Sequence, residues 1–177
     1  MKSIVKLALV AILSALTLVA QIALFYLPNV ELVTLLLILY ACIFPLGMSL
    51  AITLSFVTLN WLFWGFGDWV FGYYVIWPIL IFLAYLLKPY FKENVDRWAL
   101  FAGAFGFLFG ILFTFHHMIF YGIHTGYAYW IRGISFDLIH CFSNYIVVLL
   151  LYKPLYKVLL QLKTRLEQTY GHFNKKR

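Results

Sequence analysis

Long apolar stretches run through almost the whole chain, and only a few short breaks at proline, glycine and charged residues interrupt them. A helix that crosses the hydrocarbon core of a bilayer needs about 20 mostly apolar residues. Hydrophobic residues make up 65% of the 177 positions and charged residues 11%, whereas soluble domains average about 45–50% and about 25%. The sequence therefore predicts an all-α membrane protein in which residues 1–177 form a single integral membrane domain.

Five breaks divide the chain into six predicted transmembrane helices in one bundle. The breaks read LPNVE, PLG, GFGDW, KPYFKENVDR and GIHTGYAYWIRG. The predicted spans cover residues 4–27, 31–45, 48–66, 70–87, 98–121 and a last stretch from about 134 toward 162. The second span is the shortest, and the final break, residues 122–133, is predicted to be a loop.

The positive charges indicate the orientation of the chain. All Lys and Arg residues except Arg132 lie near the two ends of the chain, in the break after the fourth span or at the exit of the sixth. Cytoplasmic segments of membrane proteins carry an excess of Lys and Arg. Six spans with cytoplasmic N- and C-termini place every cation except Arg132 inside. The net charge of +7 is thereby explained by topology, and no nucleic-acid partner is expected.

In this orientation the outer ends of the helices collect carboxylates, amides and aromatic rings. We predict the following substrate-binding residues there: Asn29, Glu31, Asn60, Trp64, Asp68, Trp69, Tyr129, Trp130, Asp137, His140 and Asn144. Structural roles compete with ligand binding at several of them. Trp and Tyr form belts at both membrane interfaces, Asn29 is suited to cap the second helix, and a helix N-terminus favours the charge of Glu31.

Three polar residues in the last apolar stretch form the most informative pattern. Asp137, His140 and Asn144 have the spacing i, i+3 and i+7, which places them on one face of a helix. An ionisable residue inside a span is costly unless it is paired or faces a wet cavity, so it indicates function by default. The alternative is a hydrogen-bond network between helices, with Arg132 pairing with Asp137.

The sequence predicts no catalytic residues, no metal site and no cofactor of the chain's own. His116 and His117, together with His140 and Asp137, give only a weak metal pattern, because adjacent histidines point in different directions on a helix. No recognisable nucleophile–base spacing or phosphate-binding loop is present. The two cysteines match neither a zinc motif nor a disulfide framework.

Small residues recur at helical spacing in two of the spans. Ala8, Ala11 and Ala15 form one such face on the first span, and Gly103, Gly106 and Gly110 form another on the fifth. Faces of this kind allow helices to approach closely. They serve packing within the bundle, or, for the alanines, docking of a partner protein.

These features together resemble an S component, the substrate-binding membrane subunit of an energy-coupling factor (ECF) vitamin transporter. The resemblance rests on the six predicted spans, the Ala11-x-x-x-Ala15 pair, the LPNVELV entry to the second span and WIRGISFDLIHCFSNYIVVLLLYKPLYKVL at the end. The last stretch is the most specific, and together the four features extend over nearly the whole chain.

The resemblance implies a function and a set of partners. Such a protein lies in a prokaryotic cell membrane and binds a vitamin or related micronutrient at its outer face, in a pocket built from loops and the outer ends of the late helices. A transmembrane coupling protein docks on the alanine face of the first helix. Two ATPase subunits use ATP, and the S component topples in the membrane to deliver its substrate. The chain itself would not be an enzyme.

The substrate does not follow from the resemblance, because pockets differ within the family. Three outer acids and one cation argue against a ligand with several negative charges, whereas many rings favour a planar or large aromatic one. This slightly favours cobalamin, with a thiamin or pyrimidine precursor and a flavin left open. Two other functions remain: a small metal-dependent membrane enzyme that uses Asp137, His140 and His116 or His117, and a ligand-free assembly subunit.

Overall fold

The structure, a computed structural model, describes residues 3–171, and all regular secondary structure within them is helical. The six helices are α1 (Ser3–Ala23), α2 (Val33–Ile43), α3 (Leu46–Trp64), α4 (Trp69–Phe91), α5 (Val95–Tyr121) and α6 (Ile123–Gly171). The prediction of an all-α bundle is thereby confirmed. The first helix ends four residues before the predicted end of its span, and residues 24–32 form a connection to α2.

Five of the helices, α1, α3, α4, α5 and α6, are long and apolar enough to cross a membrane, as expected of a multi-pass membrane protein. Helix α2 differs from the others, because it has 11 residues. At 1.5 Å per residue it is about 16 Å long, roughly half of the ~30 Å hydrocarbon core. The second predicted span, residues 31–45, therefore contains a helix too short to cross the core by itself.

Helix α2 occupies the centre of the bundle. Each of its residues is at most 6% exposed, and it contacts all five other helices. A helix that is hydrophobic on every side belongs in the interior, and the sequence VTLLLILYACI fits that position. Helix α6 holds both ends of α2: Asn144 Nδ2 donates to Thr34 Oγ1 (3.2 Å), and Lys163 Nζ donates to the carbonyl oxygen of Ile43 (3.0 Å).

Helices α5 and α6 form a closely packed antiparallel hairpin joined by Gly122, whose φ of 86° is in the left-handed region that favours glycine. The glycines of α5 face α6. A Cβ atom at Gly106 would lie 2.8 Å from the carbonyl oxygen of His140, and one at Gly110 would overlap the carboxylate of Asp137. The glycine face predicted for the fifth span is thus used for packing within the bundle.

The predicted loop at residues 122–133 is wrong, because α6 begins at Ile123 and continues to Gly171. The segment contains no proline, and it packs along the end of α5, where Gly126 lies close to Met118 and to the carbonyl oxygen of Thr114. With 49 residues, α6 is about 74 Å long. It is more than twice as long as the hydrocarbon core is thick.

Candidate functional site

A cavity lies at the end of the bundle where residues 24–32 meet the end of α5 and the first third of α6. Its volume is about 510 Å³. Its walls are mainly apolar and aromatic, with a few polar groups. The lining residues are Asn29, Phe109, Gly110, His117, Thr125, Ala128, Tyr129, Arg132, Gly133, Phe136, Asp137 and His140.

Helix α6 supplies one whole wall of this cavity. Tyr129, Gly133, Asp137 and His140 recur at spacings of three and four residues and share one helical face. Because the predicted loop is helical, Tyr129 belongs to the same face as Asp137 and His140. The cavity brings together four of the predicted site residues: Tyr129, Asp137 and His140 from α6, and Asn29 from the connection before α2.

Asp137 lies deep in the cavity wall and is 8% exposed. Its carboxylate lies against the backbone of Gly110, where only a residue without a side chain leaves room for it. Within residues 3–171 it makes no ion pair and no hydrogen bond with another side chain. The pairing of Arg132 with Asp137 considered from the sequence is therefore not found there, although Arg132 lines the same cavity.

Glu31 joins the start of α2 to α6. Its Oε1 lies 3.3 Å from Nε2 of His140, and its Oε2 accepts the backbone N–H of Thr34 at 2.9 Å. These two contacts hold the carboxylate of Glu31 between the start of α2 and α6.

Asn29 fixes residues 24–32 to α6 rather than capping α2. Its φ is 57°, a left-handed conformation that asparagine tolerates better than most residues. Its Nδ2 donates to the carbonyl oxygen of Phe136 (2.9 Å), and its own carbonyl oxygen accepts from Ser143 Oγ (2.6 Å). The predicted cap role of Asn29 is therefore wrong, since the carboxylate of Glu31 accepts the N–H of the first turn.

Asn144 shares a face with Asp137 and His140, as its spacing predicts, but it lies one layer deeper. It is 1% exposed and donates to Thr34, and it is not among the residues that line the cavity. Asn60 is similarly buried, on α3, where its Nδ2 approaches the carbonyl oxygen of Phe56 at 3.4 Å. Both side chains serve contacts within the bundle in this structure.

A second cavity of about 170 Å³ adjoins the first, and the two share Asn29, Phe109 and His140. Gln21 and Trp77 line it, and Oε1 of Gln21 and Nε1 of Trp77 are buried without a partner in the described chain. Sequence reasoning selected none of Gln21, Trp77 and Phe109. The one available signal was Gln21, a polar residue near the end of a mostly apolar helix.

Asp68 lies outside both cavities. It is the residue before α4 and is partly exposed, and it accepts a hydrogen bond from Tyr121 Oη at 2.8 Å. That bond, with a smaller contribution from His116 3.9 Å away, lowers the pKa of the Asp68 carboxyl. Asp68 therefore connects the start of α4 to the end of α5.

The predicted aromatic cluster separates into two groups. Tyr129 stacks on His117 with 3.8 Å between ring centroids, and both line the larger cavity. Trp64 is 45% exposed and stacks on Phe25. Trp64, Trp69 and Trp130 do not line either cavity. The structure thus brings only one of the predicted aromatic ligand contacts to the site.

The two adjacent histidines point in different directions, as helix geometry predicts. His116 Nε2 lies 2.9 Å from the carbonyl oxygen of Asp68, whereas His117 faces Tyr129. In the part of the chain that the structure describes, no group of three or more His, Cys, Asp or Glu side chains is arranged to hold a metal ion.

No protein family, curated protein or solved structure matches the chain. The cavity is mainly apolar, with a few polar groups in its wall. It combines aromatic faces, a buried carboxylate without a side-chain partner, an arginine and the amide of Asn29. Such a small number of polar groups in an apolar concavity is typical of small-molecule sites.

Proposed function

We propose that the protein is the S component of an ECF-type transporter, a membrane subunit that captures a vitamin or related micronutrient outside the cell. In this proposal the chain crosses the membrane six times with both termini in the cytoplasm, the short helix α2 and its flanking residues making one crossing. It does not hydrolyse ATP. A coupling protein and two ATPase subunits supply the energy for delivery.

The observation that carries the proposal is the cavity between residues 24–32, α5 and α6. Its volume of about 510 Å³ falls within the range of about 300–1,000 Å³ for small-molecule pockets. In the proposed orientation it opens to the outside, at the end of the bundle that lacks the lysine clusters. The larger part of the cavity wall is formed by α6, which also carries the most specific part of the resemblance.

The alanine face of α1 supports the proposed partner. Ala8, Ala11 and Ala15 are all exposed in the isolated chain, and exposed Ile12 and Val19 flank them. A ridge of small side chains in lipid allows a partner helix to approach closely. A coupling protein that docks there would leave the cavity free, because the cavity is lined mainly by α5 and α6.

One observation bears on the enzyme alternative. His117, Asp137 and His140 line one cavity, as that alternative requires, but they do not form a metal-binding group in the described residues. Metal analysis of the purified protein tests it directly. The assembly-subunit alternative requires Asp137, His140 and Asn144 to satisfy one another, whereas His140 and Asn144 bond to Glu31 and Thr34.

Thermal unfolding of the purified protein tests the proposal. The protein in detergent is heated with each member of a panel that contains thiamin and its pyrimidine precursor, riboflavin, cobalamin, biotin, pantothenate, pyridoxine and niacin. A ligand at about 100 times its dissociation constant adds about 2.7 kcal/mol of stability, so a substrate raises the midpoint well above the spread of the others. A uniformly flat panel with folded protein contradicts the proposal.

A further inference from the structure

We propose that the cavity takes a ligand with a planar basic nitrogen group, an amidine or an aminopyrimidine-like edge, and that the carboxylate of Asp137 binds that group. The inference deepens the proposed function by naming a substrate class for the same site. It does not depend on which vitamin is carried, because a simple amidine tests it.

Within residues 3–171 no side chain bonds to the carboxylate of Asp137, which lies against the backbone of Gly110. A buried ionised carboxylate is costly unless hydrogen-bond donors or a cation compensate for its lost hydration. Asp137 is 8% exposed and lines a cavity of about 510 Å³. A hydrogen-bond donor on a ligand in the cavity can therefore reach the carboxylate oxygens of Asp137.

Among the other charged and titratable groups around the cavity, His140 lies one helical turn from Asp137 but bonds to Glu31. His117 stacks on Tyr129. Arg132 is exposed and precedes Asp137 by five residues, about 7.5 Å along the helix axis. This leaves a negative group deep in the cavity and a positive group at its mouth.

The aromatic residues in the wall favour a flat cation. Phe109, Phe136 and Tyr129 line the same cavity as Asp137. Aromatic faces attract planar rings and cations, and two coplanar N–H groups match the two oxygens of a carboxylate as a guanidinium does. The arginine at the mouth would suit an acceptor such as a hydroxyl or phosphate at the other end of the ligand.

This class differs from the one slightly favoured by composition alone. A corrinoid presents amides rather than a basic edge and is larger than the drug-sized ligands that pockets of this volume enclose. A flavin has no basic amidine group. Among the candidates raised by the sequence, the inference favours the thiamin or aminopyrimidine precursor class.

Binding of benzamidine to the full-length protein in detergent tests the inference, with benzamide and benzoate as the neutral and anionic analogues. We expect saturable binding of benzamidine by calorimetry and a raised unfolding midpoint, with neither effect for the two analogues. Asp137→Asn should weaken benzamidine binding at least tenfold. Asp96→Asn, an exposed carboxyl at the start of α5, should leave it unchanged.

A second pair of variants separates a local role from misfolding. Gly110→Ala places a methyl group where the Asp137 carboxylate lies, so it should weaken benzamidine binding while Asp137 remains present. Gly47→Ala is the matched control, since nothing lies within 4 Å of its added Cβ. Circular dichroism and the midpoint without ligand show whether each variant is folded.

The outcomes distinguish the inference from the proposed function. If benzamidine does not bind the wild type, or binds Asp137→Asn equally well, the inference is overturned, even if a vitamin such as biotin stabilises the protein. If benzamidine binds through Asp137 while the vitamin panel is flat, the inference stands and the proposed vitamin substrate fails.

Discussion

Single carboxylates and amides connect segments that are far apart in the sequence. Glu31 contacts His140, 109 residues away, and Asn29 contacts Phe136, 107 residues away. Burying such groups is costly, so the sequence alone indicates that they need partners. It does not show which partner each one finds, because a residue type carries no information about the neighbour across the bundle. Asn144 therefore has the predicted face but not the predicted place at the cavity wall.

Acid should destabilise the protein in part through Glu31. In the folded state the ionised carboxylate of Glu31 contacts His140 and accepts the backbone N–H of Thr34, so this contribution is lost when acid protonates the carboxylate. We expect the unfolding midpoint of the wild type to drop as the pH is lowered. Glu31→Gln should lower the free energy of unfolding at neutral pH by about 1–3 kcal/mol. It should also flatten the acid limb, which is the part of the curve where the midpoint falls with decreasing pH.

Thermal unfolding followed across pH checks this, with Glu93→Gln, an exposed carboxyl in the α4–α5 connection, as the control. The control should retain the full acid limb of the wild type. An unchanged acid limb in Glu31→Gln would show that the contacts with His140 and Thr34 contribute nothing to the pH dependence of stability.

For whole helices, the sequence predicted those features that depend on apolar length or on the spacing of small residues. The glycine face of α5 was predictable because close approach requires the absence of a side chain. The start of α6 was not, because the glycine, polar and cationic residues between 122 and 133 are compatible with either a loop or a helix. Packing against α5 decides between them, and it depends on residues such as Met118 that carry no periodic signal of their own.

Bulky substitutions on the alanine face of α1 test the proposed docking. Ala11→Trp and Ala15→Trp add large side chains to an exposed surface, so the isolated protein should fold and bind its ligand as before. Uptake by cells that also make the coupling protein and ATPases should be lost, because the partner helix can no longer approach. Val75→Trp, at an exposed position of α4, is the control and should transport normally.

Radiolabelled uptake and calorimetry on the same variants separate the two effects. Normal uptake by both alanine variants would remove this face from the docking surface. Lost ligand binding would instead show that α1 contributes to the shape of the cavity.

For the whole molecule, the central position of α2 governs the arrangement of the other helices. All five surround a helix with almost no exposed surface. Hydropathy was enough to predict a membrane bundle, because lipid demands long apolar helices. The short length of α2 was visible in the sequence, but its central burial was not, because a short apolar run looks the same at the centre and at the edge.

The proposed topology places Phe66, in the α3–α4 connection, outside the cell and Glu93, in the α4–α5 connection, inside. Both positions are exposed. In a background without Cys42 and Cys141, Phe66→Cys should react with a membrane-impermeant maleimide on intact cells. Glu93→Cys should react only after permeabilisation, and the reverse pattern would invert the orientation.

Helix α6 runs without interruption from the cavity to the opposite end of the bundle. Its first third forms the cavity wall at Tyr129 and Asp137, and its later part holds the far end of α2 through Lys163. A tilt of only a few degrees in a rod about 74 Å long moves its ends by several ångströms in opposite senses. Pro154 removes one helical hydrogen bond between the two parts, so it marks the place where the rod is most easily bent. Because one helix carries both the cavity wall and the contact with the far end of α2, a change in its tilt would move both together.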